Sequence, residues 1–407
     1  MRSTLFPLAA TLAVQLLVSM AVVTVPVLAP AAAAELGVSA GYVGFFIALV
    51  YGASMAASLV SGTLVQRFGA IRVSQLCLVS CAAGLALTAT GGAAFLVAAA
   101  ILLGFGYGPV TPASSHVLAR TTPPGMMSLV FSLKQTGVPL GGALAGAVVP
   151  ALVLVAGWRA AALAVGAACL ATLLLAQPLR ASLDADRDPT RRLSVSGLAG
   201  PLRYTLGNPE LRRLAICSFF FASLQLCLIT YLVTHLTANL GFSLVEAGLM
   251  LTVAQGGGVV ARIAWGALAD RWGRPMRLLG LVAIAMGLAA IATAQFTAAW
   301  PAAAVAFVCA AFGATAIGWN GVYLAQIARR APPGKAGDAT GGSLVFTYGG
   351  VLFGPPAFAF LVESGTRYST AFMIVAVPAV ACGLWLLWQD GFRNEPGRET
   401  PGNLENG

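Results

Sequence analysis

Two basic residues lie inside long apolar stretches, where charged side chains are costly. Arg262 stands in "VVARIAWGALADRWGR", residues 259–274, and Lys134 stands in "SLVFSLKQTGVPLGG", residues 128–142. A charge at mid-membrane costs about 2.5 to 3.5 kcal/mol on insertion scales, so such residues usually face a cavity or a partner. All 13 acidic residues map to the predicted ends of the apolar stretches or to polar segments, so none is placed to neutralise both cations. The pair therefore predicts a site for an anion supplied from outside the chain.

Uncharged polar residues accompany the two cations at helical spacing. Helical rise places Arg262 about 12 Å and Lys134 about 10 Å from the same end of their predicted helices. Gln255 lies on the face of Arg262, and Gln135 adjoins Lys134. Two further helices offer Tyr107 with Thr111, and Asn320 with Tyr323. We predict that all of these residues line a substrate-binding cavity; helix–helix hydrogen bonding is the alternative role for each of them.

The remaining chemistry-bearing residues do not form a catalytic or metal site. His116 and His235 are candidate proton carriers because imidazole titrates near neutral pH, although both map to helix ends, where a satisfied interfacial histidine is the alternative. The 7 cysteines lie in apolar stretches without CxxC spacing. A nucleophile motif and a phosphate-binding loop are both missing from the sequence. We therefore expect no metal, no cofactor, no enzymatic activity and no ATP-driven step.

The composition identifies the elements that must position these residues. Of the 407 residues, 58% are hydrophobic and only 9% are charged. Apolar windows of roughly 20 residues recur along the whole chain and predict twelve transmembrane helices, an all-α integral membrane protein. The net charge of +10 comes from arginines in short loops between these windows, which argues against nucleic-acid binding.

The distribution of the cations predicts the orientation in the membrane. Most of the 23 Lys and Arg residues fall on one side if the N-terminus is cytoplasmic, which places both termini in the cytoplasm. Abundant Ala and Arg with little Lys favour a bacterial inner-membrane protein. Arg2 followed by an apolar stretch and "APAAAAE" also fits a secretory signal peptide. The length of the apolar stretch, residues 5–29, favours a transmembrane helix instead.

The sequence repeats itself, with "LGVSAGYVGFF" from Leu36 matching "LGFSLVEAGLM" from Leu240. "GFGYGPVTPASSHVLARTTPPG", residues 104–125, matches "GATAIGWNGVYLAQIARRAPPG", residues 313–334. Two pseudo-symmetric six-helix bundles follow, related by an axis along the membrane normal. The predicted divisions are an N-terminal bundle (1–177), a cytoplasmic linker (178–210), a C-terminal bundle (211–389) and a disordered cytoplasmic tail (390–407).

A loop motif occurs once in each half, as "GTLVQRFG" and "GALADRWGR". With the two six-helix repeats, it resembles the signature of the major facilitator superfamily, and the resemblance covers nearly the whole chain. It implies a cytoplasmic latch that exchanges as the halves rock. Gln66 stands where the family has an acid. The latch residues are Gly62, Gln66, Arg67, Gly69, Gly266, Asp270, Arg271, Gly273 and Arg274.

The segment "RIAWGALAD" resembles monocarboxylate and oxalate/formate-type porters, whose arginine on the eighth helix pairs with the substrate carboxylate. This resemblance implies a secondary transporter of a small organic anion, with Arg262 binding the carboxylate and Lys134 supporting it. A co-transported proton, the lipid bilayer and a monomeric state complete the expectation.

The alternative is an exporter of drug-like or hydrophobic compounds. Glycines and prolines in the fifth and eleventh helices are similar to the Gly-Pro motif of drug antiporters, although their spacing differs. We expect them to give close helix contacts and bends. They are Gly137, Pro139, Gly141, Gly142, Gly354 and Pro355.

Overall fold

The computed structural model describes residues 2–36, 43–190, 199–242 and 244–393, and these residues are almost entirely helical. The N-terminal half contains α1 (Arg2–Leu36), α2 (Val43–Phe68), α3 (Ala70–Thr90), α4 (Ala93–Tyr107), α5 (Val110–Thr121), α6 (Met127–Gln135) and α7 (Gly137–Ala176). The linker contains α8 (Arg180–Leu183) and α9 (Ala199–Gly207). The C-terminal half contains α10 (Pro209–Leu240), α11 (Leu244–Trp272), α12 (Pro275–Ala294), α13 (Ala302–Ala316), α14 (Asn320–Arg330), α15 (Ala336–Glu363) and α16 (Tyr368–Arg393).

The helices cross the membrane twelve times within the described residues. Eleven segments are long and apolar enough to span a bilayer, and one of them, Pro124–Leu183, has 60 residues. A straight helix of that length would measure about 90 Å, three times the hydrocarbon thickness. Gly157, with φ 82° and ψ 165°, breaks this segment, because glycine alone adopts that backbone conformation without strain. The segment therefore supplies two crossings, and the predicted twelve-helix fold is confirmed.

Each half has its own hydrophobic core. One core joins residues from Val14 to Cys169, and the other joins residues from Leu118 to Leu386. Met127, Val130 and Phe131, which belong to the N-terminal half by sequence, pack into the second core. The two bundles are therefore distinct but tightly joined through α6.

The boundaries of the C-terminal half differ slightly from the predicted ones. Asn208 caps α10, since its side chain accepts hydrogen bonds from the N–H groups of Glu210 and Leu211, and Pro209 occupies the first helical position. The last helix runs on to Arg393, so the predicted start of a disordered tail at residue 390 is wrong. Residues 394–407 of that tail lie outside the described residues, as do residues 191–198 of the linker.

The first part of the linker folds back onto the N-terminal half. Asp184 is 3% exposed, and its carboxylate accepts hydrogen bonds from Ile71 N at 2.8 Å and Arg72 N at 3.0 Å, capping α3. Burial raises the pKa of Asp184, while the two N–H groups act in the opposite direction. We call residues 184–190 the linker strap.

A second aspartate ties the strap to α5. Asp186 contacts His116 Nε2 at 2.6 Å and Arg120 NH1 at 2.5 Å. Partial burial acts to raise the pKa of Asp186, but the bonds and charges of His116 and Arg120 outweigh it, so the pKa is lowered. A lowered folded-state pKa means that the stabilisation is fully present above the ordinary value near pH 4 and is lost as pH falls through the folded value.

We predict that Asp186→Asn makes trypsin cut after Arg187 about two- to fivefold faster at neutral pH. The loss corresponds to about 0.5 to 1 kcal/mol, because the Arg120 pair is about one-third exposed and partly screened. Glu363→Gln at the opposite membrane end is the matched control, and equal cutting of all three proteins would refute the tie.

The two halves contact each other at one end of the bundles. We call it the cation-rich end because its loops carry Arg67, Arg120 and Arg271. There the tips of α2 and α15 meet, with Ser58 Oγ donating to Gly341 O at 3.3 Å. The structure is therefore closed at the cation-rich end.

Candidate functional site

Three membrane-crossing helices are interrupted at similar depth. One crossing breaks between α4 and α5 at Gly108–Pro109, and its repeat partner breaks between α13 and α14 at residues 317–319. A third break, at Thr136, separates α6 from α7. Interrupted helices leave carbonyl groups without intrahelical partners, and in transporters such breaks in corresponding positions of the two halves mark the binding site.

Lys134 lies at the end of α6, 1% exposed, among neutral acceptors. Its Nζ donates to Gln15 Oε1 at 2.7 Å, Gln135 Oε1 at 3.1 Å and Thr111 Oγ1 at 3.3 Å. No carboxylate is among these partners. Among the described residues, the ammonium of Lys134 thus binds neutral acceptors, and two of them, Thr111 and Gln135, are residues that the sequence placed in the site.

Arg262, on α11, is 3% exposed and binds two backbone carbonyls freed by the breaks. Its Nε donates to Ile317 O at 2.9 Å, and its NH1 donates to Gln135 O at 2.5 Å. In an unbroken helix Gln135 O would accept from residue 139, but Pro139 has no N–H to give. Pro139 therefore leaves the carbonyl oxygen of Gln135 free to accept the hydrogen bond from Arg262. Arg262 reaches across to the N-terminal half, one residue from Lys134, so the two cations lie together.

A pair of amides flanks the cations symmetrically. In the N-terminal half Thr111 Oγ1 donates to Gln15 Oε1 at 3.2 Å, and in the C-terminal half Asn320 Nδ2 donates to Gln225 Oε1 at 3.4 Å. Thr111 and Asn320 are equivalent in the repeat. Gln15 and Gln225 were not among the predicted site residues. Extending the repeat alignment to the first and seventh helices would have found the pair.

Three further residues were predicted to line the cavity: Tyr107, Gln255 and Tyr323. Tyr107 forms an aromatic cluster with Tyr51 and Tyr348, with ring centroids 6.0 to 6.3 Å apart. Gln255 is half-buried on α11. Tyr323 is 2% exposed and donates to Ser218 Oγ at 3.1 Å within the C-terminal core, so it has the alternative role of helix–helix hydrogen bonding.

The two histidines bind groups other than the cation cluster. His116 contacts Asp186 of the linker strap. His235 Nε2 donates to Thr293 O at 3.3 Å, and its ring lies 5.7 Å from the ring of Phe372. Neither histidine is a hydrogen-bond partner of Lys134 or Arg262, so their proposed role in proton coupling has no direct route through these contacts.

The second-half loop motif joins the halves through its acid. Asp270 accepts hydrogen bonds from Ser128 N at 3.1 Å and Leu129 N at 2.8 Å, the otherwise unpaired N–H groups at the start of α6. Arg329, which the sequence analysis did not select, donates to Asp270 at 2.9 Å. Arg271 and Arg274, which it did select, are exposed.

The first-half motif makes the corresponding contact, but here the motif side chain donates the hydrogen bond and the other half supplies the acceptor. Gln66 Nε2 donates to Asp338 Oδ2 at 2.7 Å on the first turn of α15. The acid missing from the motif is thus supplied by the other half. Gly62 permits this contact, because a Cβ there would lie 1.6 Å from Asp338 Oδ1. Gly69, with φ +94°, makes room for Asp184 in the same way.

Only some of the predicted packing glycines lie at close contacts between helices. A Cβ on Gly141 would lie 2.3 Å from Leu16 O, and one on Gly354 would lie 2.7 Å from Ser223 Cα, so both allow close helix approach. A Cβ on Gly142 would lie 3.9 Å from Val23 Cγ2, an ordinary van der Waals distance. The prediction that Gly142 allows a close helix contact is therefore wrong. Pro355 lies inside α15, and its carbonyl accepts a hydrogen bond from Tyr231.

Comparison with known proteins places the chain among membrane transporters. A family model described as Major Facilitator Superfamily matches residues 11–349. Two uncharacterized MFS-type transporters of Mycobacterium tuberculosis, from strains CDC 1551 / Oshkosh and H37Rv, are each 28% identical over 286 residues, which is 68% of this chain. The match spans 62% of each relative, less than two thirds of its length.

Solved structures share the fold at low identity. The human organic anion transporter MFSD10 (TETRAN) is 17% identical with a TM-score of 0.76, covering 95% of this chain and 99% of that one. The Escherichia coli fucose:proton symporter FucP is 16% identical with a TM-score of 0.73 and the same coverage. A bacterial homologue of the iron transporter ferroportin, in an outward-facing state, is 15% identical with a TM-score of 0.74, also with the same coverage.

Proposed function

The chain belongs to the Major Facilitator Superfamily, and from that premise we propose that it is a secondary transporter that moves a small organic anion, a carboxylate, by alternating access. In this proposal the protein lies in the bacterial inner membrane, with the cation-rich end and both termini in the cytoplasm. It works as a monomer. The closed cation-rich end then corresponds to a state that opens to the outside. The proposal rests on the cation pair.

The observation that supports an anionic substrate is a pair of buried cations that, among the described residues, bind neutral groups alone. Lys134 and Arg262 are 1% and 3% exposed. Buried charges are retained in proteins when a partner or a function compensates their desolvation. A carboxylate would neutralise the pair: the planar guanidinium of Arg262 suits bidentate binding, and the ammonium of Lys134 adds a point charge.

The fold by itself selects no substrate. The related solved structures include transporters described for organic anions, fucose and iron. All share one architecture, so the choice among substrates depends on the residues in the site. In this chain those residues are two cations, two glutamines and the hydroxyl groups around them.

One observation favours the alternative, an exporter of drug-like or hydrophobic compounds that is proton-coupled. Arg262 already binds Ile317 O and Gln135 O. In that case the guanidinium acts as a structural pin between the two halves, and the substrate meets the aromatic cluster around Tyr107 instead. The charge preference of the ligand separates the two functions.

The test is a thermal-shift screen of the purified protein against carboxylates, inorganic anions and cationic dyes. A ligand that binds the folded state stabilises it in proportion to the logarithm of its concentration over its dissociation constant. We expect carboxylates to raise the melting temperature in a concentration-dependent way. Stabilisation by cationic or neutral hydrophobic compounds alone would reject the anion assignment and support the exporter.

We predict that Lys134→Met weakens carboxylate binding about tenfold or more while the ligand-free melting temperature stays within about 2 °C. The substitution removes an attractive charge but also relieves the cost of burying it, since Thr111 and Gln15 still pair with each other. The chain's other lysine provides the control: Lys335→Met removes a partly exposed cation and should leave affinity unchanged. A large loss of stability with normal affinity would make Lys134 structural.

A further inference from the structure

A second basic site lies outside the transport pathway, at the cation-rich end. A cavity of about 410 Å³ opens where α2 and α3 meet the linker. Its lining contains four arginines from separate positions along the chain. The lining residues are Arg67, Phe68, Arg72, Arg180, Arg187 and Pro189.

The three aspartates of the strap accept hydrogen bonds from groups other than the lining arginine side chains, and Asp188 accepts them from Thr190 N and Oγ1. Both oxygens of Asp184 accept N–H groups of α3, and Asp186 binds His116 and Arg120. Arg180 Nε is buried and makes no hydrogen bond. The Asp184 oxygen nearest to it lies 3.9 Å away, too far for a hydrogen bond. Among the described residues, the lining of the cavity contains four arginines and no acidic residue.

The cavity lies at the level of lipid headgroups. Arg67 ends α2, Arg72 begins α3 and Arg180 follows α7, so these three positions mark the edge of the membrane-spanning segments. One turn deeper into the membrane, Leu76 on α3 is 50% exposed, and Leu175 on α7 is 79% exposed. A basic rim above an exposed apolar surface matches both parts of a phospholipid.

We propose that this arginine-lined cavity binds the phosphate group of an anionic phospholipid from the leaflet at the cation-rich end. The arginine side chains hold the phosphate. The acyl chains lie along the apolar faces of α3 and α7. The site is independent of the transported solute, because none of its residues belongs to the cluster around Lys134 and Arg262.

The test uses the full-length protein, delipidated in neutral detergent and titrated with dioleoylphosphatidylglycerol, dioleoylphosphatidylcholine or inorganic phosphate, with bound lipid counted by native mass spectrometry. The double variant Arg72→Gln/Arg180→Gln removes two cavity charges. Arg203→Gln/Arg367→Gln removes two exposed charges elsewhere as a matched control. Arg187→Gln, an exposed single change, covers the event that the double variant misfolds.

We expect phosphatidylglycerol to bind about 30-fold more weakly to the double variant and about fivefold more weakly to Arg187→Gln, since each basic residue contributes about fivefold near an anionic lipid. The control should stay within about twofold. Equal binding of both lipids, or equal binding to all proteins, would overturn the site. Saturation by inorganic phosphate that blocks phosphatidylglycerol would overturn the lipid assignment. Arg262→Gln should bind the lipid normally, which separates this result from the transport proposal.

Discussion

Replacing Arg262 by glutamine is expected to weaken carboxylate binding by at least about 30-fold and to abolish transport, because losing one partner of a buried, hydrogen-bonded charge pair costs about 2 to 5 kcal/mol. Arg262→Lys should rescue binding only partly. A lysine keeps the charge but cannot make the forked contact of a guanidinium with a carboxylate. Affinity is measured by calorimetry with the best carboxylate from the thermal-shift screen.

The same variant also tests the structural alternative. Arg262→Gln loses the bonds to Ile317 O and Gln135 O, so its ligand-free stability should fall by about 1 to 3 kcal/mol. Arg367→Gln, an exposed arginine at the opposite end, should change neither property. A stability loss with unchanged carboxylate affinity would mean that Arg262 only pins the halves together.

The second large effect is expected from Gly321→Val, which should lower the transport rate about five- to a hundredfold by opening the cation-rich end. Ser132 on α6 lies between Gly321 on α14 and Gly266 on α11. A Cβ on Gly321 would lie 2.3 Å from Ser132 Cα, a backbone atom that cannot move aside without separating the halves. Overpacking of this kind costs about 1 to 3 kcal/mol, up to a hundredfold in the closed population.

Closure is measured by maleimide labelling of Ser128→Cys. Ser128 is fully buried at the interface between the halves, and the native cysteines are all buried, which keeps the background low. Labelling should be slow in the parent and about five- to a hundredfold faster with Gly321→Val. Gly256→Val is the matched control, because a Cβ there meets nothing within 4 Å. Slow labelling in the Gly321→Val background would contradict the packing argument.

The fold could be predicted because features of the local sequence determine it. Long apolar windows determine the crossings, and the repeat from Leu36 to Leu240 reveals two equivalent bundles. The loop motifs locate the latch. The Gly157 turn and the breaks around Pro109 and Pro139 also have local causes, the conformational freedom of glycine and the missing N–H of proline.

The site could be predicted only in part, because its partners come from distant segments. The cost of burying charge singled out Arg262 and Lys134, but hydropathy cannot show which carbonyls the guanidinium binds. Asp338 and Arg329 belong to the latch through contacts between helices that local motifs do not encode. The sequence predicted only a polar linker at the position of the strap. The hydrogen bonds of Asp184 and Asp186 could not be predicted, because they form only once the bundle has folded.

The central claim is that the substrate's negative charge neutralises the buried pair of Lys134 and Arg262. The most direct measurement compares, by calorimetry on the unsubstituted protein, the best-binding carboxylate with its uncharged primary amide. The two ligands share size and shape and differ in charge. The account predicts that the amide binds at least about 30-fold more weakly, which corresponds to the lower end of the about 2 to 5 kcal/mol that an unpaired buried charge costs. Equal affinities for acid and amide would contradict it.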